Sequence, residues 1–324
     1  MHRRTFIGRV AGGLLGAPFA ARAQPVGKVY RIGILETIPA ARNAGNLDAL
    51  RKGLQELGYI EGRNLVIEYR SADGRAERFP DLASELARLK VDLIVTRGTP
   101  AAKAAKNSTG TIPVVMAAMG DPLVVVASLA RPGGNITGMT TFSTELTGKR
   151  LELLRELVPK LSRVAFLHNM GNPVAPPEWE ELKTAAHSLG LQAELLDVRN
   201  QGDLGRAFEL AVRQHVDALV IGIDGLTQMN QQSIVDLAAR SRLPAIYPDR
   251  QFVEAGGLIA YAVNYPDLYF RAAGLIDKIF KGAKPGELPV EQPTKFDFVM
   301  NLRTVKALGL TIPQSLLLRA EVVE

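Results

Sequence analysis

The chain has 324 residues, room for two lobes of about 150 each, and its 47% hydrophobic content suffices to bury a core in both. The net charge of +6 sits mainly at the start, where Arg3, Arg4, Arg9 and Arg22 meet no acid in the first 23 residues; the remaining 35 bases against 33 acids leave no basic face for nucleic acid. The absence of cysteine excludes disulfides, thiol catalysis, Cys-ligated zinc and lipid attachment to an N-terminal cysteine.

Residues 1–23 read as an export signal cleaved after Ala23. Arg3-Arg4 opens it, an apolar stretch runs from Phe6 to Ala20, and Ala21-Arg22-Ala23 places small residues where a signal peptidase cuts. The paired arginines before Thr5-Phe6-Ile7 look like a twin-arginine signal, with a general secretory signal as the alternative. The run is shorter than the ~20 residues a membrane-spanning helix needs, and no later window reaches that length. The expectation is a periplasmic protein without a lipid anchor.

Thereafter strands and helices alternate. Arg31–Leu35 has the apolar run of a buried parallel strand. Leu47, Leu50, Leu54 and Leu57 recur at helical spacing until Gly58. The pattern continues with a strand at Leu65–Tyr69, a helix marked by Phe79, Leu82, Leu86 and Leu89, and a strand at Val91–Thr96. A helix at Pro100–Asn107, a strand at Pro113–Met116 and a helix at Pro122–Ala130 lead to Ile136-Thr137-Gly138. A second series begins with helix Leu146–Val158 and strand Val164–Leu167. It runs on through helix Glu178–Leu189, strand Gln192–Leu196 and helix Asp203–His215. Strand Asp217–Ile223, helix Gln228–Ser241, strand Ala245–Tyr247 and a short helix at Arg250–Glu254 follow. Strand Leu258–Val263 and helix Asp267–Lys281 precede a break at 284–289, and the chain closes with strand Phe296–Met300 and helix Leu302–Leu308. Two successive sets of this alternation predict an α/β protein of two doubly wound parallel-sheet lobes.

Several stretches carry a family resemblance. Gly98-Thr99-Pro100-Ala101-Ala102, Gly120-Asp121-Pro122, the run from Ser128 to Gly138, Glu291 to Phe296, and Asn301 to Leu310 are similar to those of ABC-transporter substrate-binding proteins whose studied members bind tryptophan or tyrosine. The likeness extends from about Tyr30 to Pro313. It implies a type I periplasmic-binding-protein fold with a three-strand hinge. Lobe 1 would comprise 28–142 plus 264–288, and lobe 2 would comprise 143–263 plus 289–324. It also implies a monomer that captures a small carboxylate-bearing ligand, an aromatic amino acid among the candidates, and delivers it to an inner-membrane permease and ATPase.

Ligands of doubly wound sheets gather outside the carboxyl ends of the strands, which singles out the residues there. Glu36, Thr37 and Ile38 follow the first strand. Gly98 permits close backbone approach, and Thr99-Pro100 suits a helix start that can receive a carboxylate. Met119 and Gly120 follow the next strand, whereas Asp121 reads better as a helix start. In the second lobe Asn169 offers hydrogen bonds, and Asp224 is the candidate partner of a ligand ammonium, with an N-cap as its ordinary reading. Tyr247 and Asp249 follow a later strand, and Asn264 lies with Tyr261 near a hinge crossing. Arg97 either adds charge for an acidic ligand or points to solvent.

An enzyme is not expected. Gly-x-Ser-x-Gly and P-loop motifs are missing, the histidines outside the leader (His168, His187, His215) have no metal-ligand spacing, and no cofactor motif occurs. A ligand sensor for a membrane receptor is the nearest alternative, and a two-lobed α/β enzyme is more distant. A repressor effector lobe would need a DNA-binding headpiece of some 50 residues, whereas about 29 precede the first strand.

Overall fold

The computed structural model describes residues 28–324; the expected leader lies outside the described residues. The first sheet opens with β1 (Tyr30–Glu36), buried from Ile32 onward. Helix α1 (Ala44–Glu56) follows, its Leu47, Leu50 and Leu54 turned inward. The chain then leaves at Gly58, whose φ of +92° a side chain would resist. Next come β2 (Leu65–Ser71), α2 (Phe79–Arg88), β3 (Leu93–Arg97), α3 (Thr99–Ser108), β4 (Val114–Met119) and β5 (Ile136–Thr140). The five strands are parallel in the order β2-β1-β3-β4-β5. The helix expected over Pro122–Ala130 is instead one 3-10 turn, Pro122–Val124. Its amides go elsewhere: Ala127 N donates to Pro132 O at 2.9 Å and Arg131 N to Ser128 Oγ at 3.1 Å, closing a compact loop.

The second set is α4 (Ser143–Leu157), β6 (Arg163–His168), α5 (Ala175–Ser188), β7 (Gln192–Asp197), α6 (Asp203–Arg213) and β8 (Ala218–Ile221). The single helix expected over Gln228–Ser241 is two, α7 (Gly225–Met229) and α8 (Gln231–Arg240), meeting at Asn230. Then follow β9 (Ala245–Tyr247), α9 (Arg250–Glu254) and β10 (Ile259–Val263). Helix α10 (Tyr265–Phe280) returns to the first sheet and packs along α1. Gly53 allows that approach, because a Cβ there would lie 2.7 Å from Phe270 O and 2.8 Å from Ala273 Cβ. The chain finishes with β11 (Phe296–Asn301), α11 (Leu302–Ala307), α12 (Gln314–Leu317) and β12 (Glu321–Val323), of which α12 and β12 were not anticipated. The order is β12-β11-β10-β9-β8-β6-β7. This sheet is not wholly parallel as expected: β11 runs antiparallel to β10, since it enters from the hinge instead of through a crossover helix.

Each sheet has an apolar core on both faces, the condition that makes its strands near-continuous hydrophobic runs. The chain crosses between the sheets three times: between β5 and α4, between β10 and α10, and through the segment before β11. Asn264 ties two of these together. It caps α10 by accepting from Asp267 N, and its Nδ2 donates to Asp297 Oδ1 at 2.9 Å.

Candidate functional site

In the first sheet the winding direction reverses between β1 and β3, and in the second between β6 and β8. Such switch points leave a crevice at the strand tips. Here the two crevices share one cavity of about 710 Å³, counting its solvent-open part. Six of the twelve expected residues line it: Thr37, Gly98, Thr99 and Gly120 from the first lobe, Asn169 and Asp224 from the second. At Gly120 the lobes lie close; a Cβ on it would lie 2.6 Å from Ser143 Oγ and 2.7 Å from Val174 Cγ2.

Arg97, left undecided by sequence, is the central cation of the first-lobe wall. It ends β3, is 4% exposed, and lines the cavity. Its Nη1 lies 4.0 Å from Glu36 Oε1, its Nη2 lies 3.7 Å from Asp249 Oδ2, and its guanidinium stands 4.6 Å from the Tyr265 ring centroid. Burial works to discharge it, but Glu36 above all, with Tyr269, Tyr265 and Asp249, outweighs burial and raises its pKa. Arg97 Nη2 nevertheless has no hydrogen-bond partner, and neither do the buried hydroxyls of Thr99 and Ser143. All three residues line the same cavity. Buried polar atoms without partners are uncommon in folded proteins, and these three border one space. Gly98, at φ +82°, is the N-cap of α3, with no side chain capping its amides; Thr99 is the first helical residue and not the cap that its sequence suggested.

Glu36 stands behind this wall. Its Oε1 accepts from Thr37 N and Oγ1 at 2.8 and 3.0 Å, and its Oε2 from Asn43 Nδ2 and Tyr269 OH at 2.9 and 2.5 Å. Asp249 belongs to the second lobe; it approaches Arg97 across the lobes without lining the cavity and caps α9 through Gln251 N. Ile38 is buried outside the cavity, its carbonyl accepting from Tyr69 OH. Met119 is in the first lobe's core, and Tyr247 stacks on Phe252 in the second's. Asn264 serves the hinge.

On the second-lobe wall, Asp224 is first an N-cap: Oδ1 accepts from Thr227 N at 2.9 Å while Thr227 Oγ1 accepts from Asp224 N at 3.0 Å. Its Oδ2 accepts from Asn169 Nδ2 at 2.8 Å. His168 Nδ1 accepts from Asn169 N at 2.8 Å, which leaves Nε2 to face Glu178 Oε2 at 3.1 Å. Gly222 makes room for that ring; a Cβ would fall 2.1 Å from His168 Cδ2. Arg97 and Asp224 are the charged residues lining the cavity, one on each wall. Ser143, Tyr265 and Gln228 also line it and were not anticipated, because they begin or lie within helices rather than follow strands.

The sequence model for ABC transporter substrate binding proteins matches residues 32–324. The chain belongs to that family. A tyrosine-binding protein of Clostridioides difficile (strain R20291) is 27% identical over 271 residues, covering 82% of this chain and 78% of that protein. Among solved structures, an ABC domain from Streptococcus pneumonia in complex with L-Trp is 27% identical. It has a TM-score of 0.85 and covers 92% of this chain and 100% of its own. A substrate binding protein with adhesive properties from Clostridium difficile, in a ligand-free, open structure, is 26% identical. Its TM-score is 0.67, and the match covers 91% of this chain and 99% of that one. This substrate-binding protein has the type I periplasmic-binding-protein fold that its sequence motifs implied. Among its described residues no helix is long and apolar enough to cross a membrane.

Proposed function

We propose that this chain is the extracytoplasmic solute-capturing component of an ABC importer, and that it holds an α-amino acid with an apolar, aromatic side chain between its lobes. The observation that carries this is the convergence of unpartnered Arg97 Nη2, Thr99 Oγ1 and Ser143 Oγ on one buried cavity. A ligand carboxylate supplies the acceptors they lack, in the charge-assisted form that Arg favours. Asp224 across the cavity suits the ammonium, so one cation and one anion face a zwitterion from opposite walls. Phe79, Val174, Ile223 and Tyr265 give the rest of the lining an apolar character suited to a ring.

The moving bodies are the expected 28–142 plus 264–288 and 143–263 plus 289–324, hinged at the three crossings, except that Val290 and Glu291 stay bonded to the first sheet at Leu129, Gly138 and Thr140. The lower TM-score with the open, ligand-free relative than with the tryptophan complex, at nearly equal identity, supports a closed arrangement here. Contacts made only when closed let occupancy shift the lobe equilibrium, and the permease and ATPase would read that shift. The role is binding, by a monomer, with no cofactor, so the ligand leaves unchanged. Export would follow the twin-arginine-like leader, cut after Ala23.

A thermal-shift screen of the protein from Gln24 onward tests the reading. L-tryptophan and L-tyrosine should raise the melting point through binding to the native state. Tryptophanamide, lacking the carboxylate, and indole-3-propionate, lacking the ammonium, should raise it much less, and recovered tryptophan should be chemically intact. Tryptophanamide raising the melting point as much as tryptophan does would refute carboxylate capture; no response to any amino acid would refute the ligand class.

A further inference from the structure

Helix α7 belongs to the second lobe, yet residues of the first lobe hold it at several points. Arg42 Nη1 donates to Met229 O at 2.8 Å and lies 3.3 Å from Gln228 O. These carbonyls close the C-terminal end of α7, where no intrahelical donor remains. Thr37 Oγ1 lies 3.3 Å from Gln228 Oε1. Gly74, in the loop after β2, meets α7 backbone to backbone. A Cβ on Gly74 would lie 2.7 Å from Met229 Cγ and 2.9 Å from Gly225 O, and a Cβ on Gly225 would lie 3.1 Å from Gly74 Cα. Gly225 itself is not in the left-handed region, so its own lobe does not require glycine there.

The same five-residue helix starts from Asp224 and carries Gln228, and both line the cavity. One short element therefore borders ligand space and touches the opposite lobe along its whole length. Arg42 is outside that cavity. We infer that α7 is the clasp of the closed cleft, fastened by Arg42 and seated against Gly74, so that Arg42 and Gly225 govern how long a ligand stays bound. This rests on the proposed closure of the lobes around a ligand. Arg42 is a positioning residue: it fixes α7, and α7 presents Asp224 and Gln228. Gly225 is a spacing residue that also lines the cavity; a branched side chain there, its Cβ 3.1 Å from Gly74 Cα, presses the lobes apart, and the ligand-free distance separates that effect from direct intrusion on the ligand.

The chain has no cysteine, so spin labels attach cleanly to cysteines placed at exposed Lys103 on α3 and Glu209 on α6. The distance between them is read in ligand-free protein and with saturating L-tryptophan, together with the tryptophan dissociation rate. Arg42→Ala should move the ligand-free distribution toward longer distances and speed release about fivefold, and Arg42→Lys should recover part of both. Gly225→Val should do the same by more than tenfold, with a ligand-free melting point no lower than that of the parent, since glycine is the poorer helix former. Unchanged distances and unchanged release in Arg42→Ala and Gly225→Val would overturn the clasp. If the parent protein ignores L-tryptophan, the ligand reading fails by itself. The clasp then stands or falls on whether Arg42→Ala lengthens the ligand-free distance.

Discussion

Arg97 shows how a buried charge is maintained and left available at once. Two carboxylates near it, at 4.0 and 3.7 Å, are outside hydrogen-bond distance, so they stabilise its charge without occupying its donors. Asp249 bears the cost of that arrangement. Burial is the largest influence on its carboxyl and raises the pKa above the ordinary 3.8, with the attraction of Arg97 opposing. Below pH 3.8 both folded and unfolded chains are protonated there and the cost is absent. As pH rises past that value the unfolded chain releases the proton first, so this group lowers stability progressively until the folded carboxyl ionises. Asp249→Asn keeps an oxygen for the Gln251 amide but cannot titrate. Urea unfolding across pH 3 to 6 should therefore show the parent losing stability relative to Asp249→Asn as pH rises. A pH-independent difference would contradict this origin. The strand-tip rule located Thr37, Gly98, Thr99, Gly120, Asn169 and Asp224 from sequence. It could not distinguish them from Met119, Ile38 and Tyr247, because the side a side chain takes at a strand end depends on bulges and turns. The register shifts between Met116 and Met119, for example. Ser143 and Tyr265 reach the cavity only because the hinge crossings bring their helix starts there.

At the scale of elements, leucines at helical spacing made α1, α2 and α4 legible, and apolar runs did the same for β1, β3, β6 and β8. The loop after β4 deceived because Pro122 at a first-turn position followed by apolar residues looks helical, while its amides are bound within a loop. Strand β12, three residues long, lacks a pattern of its own and forms only because β11 offers an edge. Which helix packs on which was not legible. The pairing of α1 with α10, more than 200 residues apart in sequence, depends on Gly53, whose lack of a side chain lets Phe270 and Ala273 approach. Gly53→Leu should destabilise the protein by roughly 1–3 kcal/mol by overpacking, seen as a lower urea midpoint. A midpoint equal to or above the parent's would show that α10 is free to move away from α1.

For the whole molecule, the alternation of strands and helices established two α/β units, whereas the interleaving of the chain between them came through family resemblance. Residues 265–280 continue a βαβ pattern that any local reading would leave in the second lobe, yet their apolar face packs in the first. That return makes the crossings a hinge and sets the two sheets tip to tip. On the proposed function, this juxtaposition builds a carboxylate site from Arg97, Thr99 and Ser143. A crystal structure with the amino acid that most raises the melting point tests it directly. The ligand carboxylate should lie within about 3 Å of Arg97 Nη2, Thr99 Oγ1 and Ser143 Oγ, the distance of charge-assisted hydrogen bonds. A ligand bound elsewhere, or one in the cavity with its carboxylate turned away from Arg97, would contradict the account.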